Sequence, residues 1–228
     1  MRLKAAMETG AISLTSPFYL MLPLALIALV PFFAVMGTSF LKLVVVFSIL
    51  RNATGLQQIP PNIAMNALAI ILTFYIMAPI GLEVWDLIEE QQISFETEDS
   101  EQLAEDIELL ITPYRDFLKK NTSERERHFF LRTATKIWPE AYRHQLSADD
   151  LIILMPSFCI SELTKAFEIG FLLYLPFIII DLIVSNILLA MGMMMVSPMT
   201  ISLPFKLLLF VLIDGWARLV HGLVMSYA

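Results

Sequence analysis

Apolar residues in this chain gather into long runs, interrupted by proline, glycine and isolated charges, with one polar stretch between them. The first run, about Phe18–Leu50, is longer than the roughly 20 residues a helix needs to cross a bilayer. It contains Pro23, Pro31, Gly37 and Lys42, so a bent or broken helix is expected. A second run, about Ile63–Val84, follows the segment RNATGLQQIPPN, whose Gly55 and Pro60-Pro61 mark a tight turn. The two runs then form a hairpin. A third run, about Leu151–Leu189, and a fourth, about Leu203–Val224, make a second hairpin, joined by a turn holding several methionines and Pro198.

The polar stretch lacks strand-like alternation. Glu98–Leu118 and Glu124–Ile137 carry helical spacing, with Leu103, Ile107, Leu110 and Ile111 on one face. Ser123 followed by Glu126 reads as a capping box at the start of the second of these helices. The pattern predicts an all-α fold: two long proline-broken helical hairpins, residues 1–84 and 151–228, with an inserted, mostly helical domain at 85–150.

Composition sharpens this. Of 228 residues, 57% are hydrophobic, against roughly 45–50% for an ordinary soluble domain. Such a chain is membrane-associated or buried in a larger assembly. Residues 82–150 hold 17 of the 22 acidic and 8 of the 15 basic residues. That acidic insert argues against a nucleic-acid partner, because it repels phosphates. Arg51 and Lys206 lie near the two hairpin turns, which the positive-inside rule puts in the cytoplasm, with the acidic insert outside. Arg2 and Lys4 argue the other way; the N-terminal run reads as a retained first membrane segment rather than a signal peptide.

Catalytic chemistry finds little support. Cys159 is the one cysteine, and His128, His144 and His221 are scattered without metal-ligand spacing. No phosphate-binding GxxxxGK[ST] loop is present. No cofactor is expected, and the chain reads as a non-enzyme.

Two features stand out instead. Lys42, Glu162, Lys165, Glu168, Asp181, Lys206 and Asp214 lie in or against apolar runs. A central charge in a bilayer costs at least about 2.5–3.5 kcal/mol, so these must pair, face water or face protein. Glu162, Lys165 and Glu168 follow at three-residue intervals and suit an ion-pair ladder, within or between subunits. Opposite signs side by side disfavour a proton wire. The second feature is Met191, Met193, Met194 and Met195 beside Gly192 at a hairpin tip. Methionine is flexible and polarizable, which suits a deformable seal; it is also common filler in apolar helices.

These residues resemble the FliP/SctR family of type III secretion export-gate proteins. Gly37-Thr38-Ser39-Phe40 with Lys42, LRNATGLQQIPPN at 50–62, SELTKAFEIGF at 161–171 and the run 175–216, LPFIIIDLIVSNILLAMGMMMVSPMTISLPFKLLLFVLIDGW, carry the likeness. The insert at about 90–145 matches no such pattern. The likeness leans to the injectisome branch over the flagellar one. It implies a bacterial inner-membrane complex projecting to the periplasmic side, with five copies of this chain, SctS/FliQ-like and SctT/FliR-like subunits, and a SctU/FlhB-like switch protein nearby. Unfolded secreted polypeptides would pass through, and Met191, Met193, Met194 and Met195 would form the channel gasket. The alternatives are a conventional multi-span channel or proton-coupled transporter, or a scaffold whose acidic insert binds periplasmic partners.

Overall fold

A computed structural model describes residues 17–56, 59–91, 93, 100–143 and 146–228. Arg2 and Lys4 lie outside the described residues. Every regular element among the described residues is an α-helix: α1 (Pro17–Met36), α2 (Phe40–Thr54), α3 (Asn62–Glu90), α4 (Ser100–Asn121), α5 (Glu124–Ile137), α6 (Glu140–Arg143), α7 (Leu151–Ala190), α8 (Pro198–Leu212) and α9 (Gly215–Met225). The chain divides after Val35. The part before the division is represented by α1, whose Met21, Leu24, Ile27, Phe32 and Phe33 are all exposed.

In the larger unit, α2 and α7 form the spine, with α3 and α8 against α2, and α4, α5 and α8 against α7. Their shared core holds Leu43, Val46, Phe47 and Leu50 of α2, Met65 and Ala69 of α3, and Leu219 and Leu223 of α9. Leu43, Val46, Phe47 and Leu50 follow the three- and four-residue steps that place side chains on one helix face. Close approach sets the α2–α7 contact: a Cβ on Gly170 would lie 2.4 Å from Ile49 Cδ1 and 3.0 Å from its Cγ2.

Pro60-Pro61 immediately precedes α3, as the tight turn between the first two runs requires, but inside the apolar runs the helix breaks fall away from the prolines. Pro79, Pro113, Pro156, Pro176 and Pro204 all sit inside continuous helices. An interior proline removes one N–H donor and strains a turn, but flanking turns and packing carry the helix through. The first break is at Gly37-Thr38-Ser39, where Thr38 Oγ1 accepts from the Phe40 N–H at 3.3 Å. Tyr114 Oη of α4 donates to the Gly37 carbonyl at 2.9 Å, satisfying a buried backbone group that the break leaves open. The second, between α8 and α9, turns the axis by 59°. Asp214 adopts the left-handed conformation there, φ 51°, which aspartate tolerates better than most residues.

The insert is helical, and α5 spans the expected residues Glu124–Ile137. Its start differs from a capping box. Ser123 occupies the N-cap position but makes no side-chain cap bond. Its N–H donates to Ser161 Oγ of α7 at 2.9 Å, so a tertiary contact takes the donor that the glutamate would have served. Within the insert, Asp149 pairs with Lys119 and, at 3.0 Å, with Arg127.

Two described helices, α3 and α7, are long and apolar enough to cross a membrane. The most apolar 18-residue windows of these helices are only 11% and 17% buried within the chain, so lipid or partner protein must cover the rest.

Candidate functional site

Two buried lysines, Lys42 of α2 and Lys206 of α8, each reach a carboxylate on α7. Lys42 of α2 lies 3.2 Å from Glu162 Oε2, both side chains shielded from solvent. Its ammonium is not aligned for a hydrogen bond there. It sits instead 3.5 Å from the centre of the Tyr227 ring, a cation–π contact. Tyr227 Oη donates to Glu162 Oε2. Lys165, one turn along α7, lies 3.1 Å from Glu162 Oε1 and donates to the Asn121 carbonyl at 2.6 Å. Asn121 is the last residue of α4, so the ammonium meets the negative end of that helix.

The second junction repeats the arrangement. Lys206 of α8 donates to Asp181 Oδ2 at 2.6 Å and to the Ala53 carbonyl at 3.3 Å, near the end of α2. Ser202 Oγ donates to the other Asp181 oxygen at 2.6 Å. Gly55 ends α2 in the left-handed conformation beside the Lys206 ammonium. In both places a lysine, Lys165 or Lys206, pairs with a carboxylate of α7 and with carbonyl oxygen at a helix C-terminus; the buried Lys42 has the Glu162 carboxylate and the Tyr227 ring instead.

Of the residues singled out from the sequence, Lys42, Glu162 and Lys165 come together, and Lys206 forms its own junction. Glu168 joins neither: it is exposed and makes no ion pair among the described residues, because Lys165 turns back toward Glu162 and the α4 terminus. Asp181 was visible as a charge in an apolar run, but its partner lies 25 residues away. Asn121 and Tyr227 carry no local signal: one contributes a backbone carbonyl, the other is one tyrosine among six.

The methionine turn is defined by its backbone. Gly192 is left-handed, φ 72°. The Met193 N–H donates to the Leu188 carbonyl at 2.9 Å and the Gly192 N–H to Leu189 at 3.0 Å, the paired bonds of a Schellman motif. Val196 N–H then bonds the Met193 carbonyl at 3.3 Å, and Pro198 opens α8 as its first residue rather than lying in the turn. On this ordered turn the side chains point away from the chain's own core: Met194 is 81% and Met195 99% exposed, and Met191 and Met193 are also exposed.

The FliP family model matches residues 23–223. The chain belongs to the FliP family. This FliP-family chain is 56% identical over 216 residues to the Yop proteins translocation protein R of Yersinia pestis, covering 95% of this chain and 99% of that protein. It is 50% identical over 216 residues to the virulence protein YscR of Salmonella typhimurium, covering 93% and 98%. The hypersensitivity response secretion protein HrcR of Ralstonia nicotianae matches at 47% over 204 residues, covering 88% and 93%. The family match spans both lysine junctions and the methionine turn of this FliP-family chain, and stops four residues short of Tyr227.

Proposed function

We propose that this chain is a structural subunit of a type III secretion export gate, and that its methionine turn helps line and seal the path of unfolded secreted polypeptides. The family and the relatives named for translocation and secretion support the first part. The observation that carries the second is the exposure of four thioether side chains on one ordered turn. Methionines that filled this chain's own core would be buried in it, whereas these face outward from the chain. Presented outward from several copies, they form a soft apolar ring that excludes water and ions and deforms around a passing chain.

The remainder of the reading follows the same physics. α7 has 40 residues, or about 60 Å at 1.5 Å per residue, twice the roughly 30 Å hydrocarbon core. Such a helix suits a subunit packed among copies and partners, with its upper part above the membrane. A conventional four-span channel or proton-coupled transporter fits less well, since the buried charges are paired with opposite signs. We take the assembly to hold five copies with SctS/FliQ-like and SctT/FliR-like subunits and a SctU/FlhB-like neighbour, in the bacterial inner membrane, with the acidic insert at 85–150 on the periplasmic side. Glu168, exposed on α7, is then free to pair across a subunit boundary. The subunit's role is mechanical, with no chemical step assigned to it.

Changing Met193, Met194 and Met195 together to Ala removes the filling atoms and leaves the backbone path. Cells carrying this variant should leak small solutes while still secreting. The corresponding Leu triple keeps apolar volume and should stay sealed, with slower secretion. Conductance or small-molecule uptake, measured beside secretion, decides it; an Ala triple that assembles and leaks no more than the parent removes the gasket role.

A further inference from the structure

One tyrosine outside the family match touches three helices at once. Leu219 and Leu223 of α9 are buried in the core, and Tyr227 follows at the next four-residue step. The Ser226 N–H still bonds the Gly222 carbonyl at 3.1 Å, and the Tyr227 N–H bonds Val224 at 3.1 Å, so the helical course continues far enough to aim the ring inward. There it lies nearly parallel to Phe117 of α4, with centroids 6.0 Å apart and planes at 18°. Lys42 of α2 lies over its face at 3.5 Å, and its hydroxyl donates to Glu162 of α7.

Two ammonium groups flank the single Glu162 carboxylate, so the junction carries more positive than negative charge. The Tyr227 ring offers Lys42 an electron-rich face, and the Asn121 carbonyl offers Lys165 the end of α4. The C-terminal end of α4, inside the insert, and the segment after α9 therefore complete the same charge cluster from two sides. If the segment after α9 withdraws, the buried Lys42 loses its aromatic face, and if the end of α4 withdraws, the half-buried Lys165 loses its carbonyl partner.

We propose that Tyr227 is a positioning residue that clasps the second hairpin to the acidic insert, so that the order of α9 and the order of the α4–α5 junction depend on each other. Coupling of this kind is reciprocal: a disturbance at Phe117 must loosen α9, and a disturbance at Tyr227 must loosen residues 119–123. A partner seated on the insert then has a physical route to the hairpin that carries the methionine turn. The clasp is a property of the subunit and stands whether or not the methionines seal a channel.

Amide hydrogen exchange on the detergent-solubilised complex, taken from bacteria carrying the whole secretion system, tests it. Tyr227→Ala should speed exchange about tenfold or more both in α9 and at residues 119–123. Tyr227→Phe, which keeps the ring and loses the hydroxyl, should give a smaller rise in the same two places. Phe117→Ala, at the far side of the stack, should speed exchange in α9, whereas Phe129→Ala, exposed on α5 of the same insert, should leave α9 at the parent rate. If Tyr227→Ala does not accumulate, Tyr227→Phe and Phe117→Ala decide the matter. Exchange that rises only in the helix carrying each substitution overturns the clasp.

Discussion

The Lys42 ammonium and the Glu162 carboxylate meet 3.2 Å apart with both side chains withdrawn from solvent. Lys165, bonded to the same carboxylate, is 39% exposed, so Lys42 is the cation that depends most on the pair. Removing one partner of a buried pair typically costs about 3–5 kcal/mol. Glu162→Gln, which leaves the buried Lys42 ammonium without its counter-charge, should lower stability by that order and depress the yield of intact complex. Arg125→Ala, on a side chain 91% exposed, should stay within about 0.5 kcal/mol of the parent. Denaturation midpoints in detergent and complex yield measure both; equal behaviour of the two variants would refute the importance of the pair.

Tyr114 gives a pH signature. Burial pushes its phenol up to about 12 from an ordinary value of 10.0, and the neutral hydroxyl donates to Gly37. The unfolded chain gives up this proton first. The contribution of Tyr114 is therefore complete below pH 10 and is lost as pH rises toward 12. Tyr114→Phe strands the Gly37 carbonyl and should cost about 1–3 kcal/mol at neutral pH. The stability gap between parent and variant should narrow across that alkaline window. A gap that stays constant there would speak against the hydroxyl as the source of the effect.

Gly170 tests the α2–α7 contact. A methyl group there meets Ile49 at Cδ1, Cγ2 and Cβ, the last at 3.2 Å. The tip of Ile49 can rotate away, but its branch point is fixed to α2. Gly170→Ala should therefore destabilise by about 1–3 kcal/mol, although alanine favours the helix. Gly222→Ala, with open space around it, should be neutral or mildly stabilising. Thermal unfolding of both variants checks the contrast, and the account fails if Gly170→Ala matches Gly222→Ala.

Orientation is measurable through the insert. With Cys159 changed to Ala, a cysteine in place of Lys136, exposed at the end of α5, should react with a membrane-impermeant thiol reagent in intact spheroplasts. Labelling that appears only after lysis would reverse the proposed orientation.

Much of the fold was readable along the chain because helices rest on local hydrogen bonds and local apolar spacing. The expectation of α5 at Glu124–Ile137 met the observed helix at both ends, and the start of α7 at Leu151 matched the expected segment. Pro60-Pro61 lay in the α2–α3 connection as expected, but the prolines inside the apolar runs misled as to the breaks. A missing donor is visible in a sequence, but whether packing carries a helix past it is not. Thus α7 continues through Pro156 and Pro176, while α8 and α9 part at Asp214.

By itself, then, the sequence determined an all-α chain that is membrane-associated or buried in a larger assembly, with an acidic insert, a set of charges that could not be left facing lipid, and a methionine cluster at a hairpin tip. Those properties depend on which residues are near one another along the chain. Tertiary structure alone decided the partners: Lys42 with Glu162 across 120 positions, Lys206 with Asp181 and the end of α2, Tyr227 with both α4 and α7. A buried charge takes the nearest acceptor in space, and the packing of α2, α4, α8 and α9 around α7 chooses it.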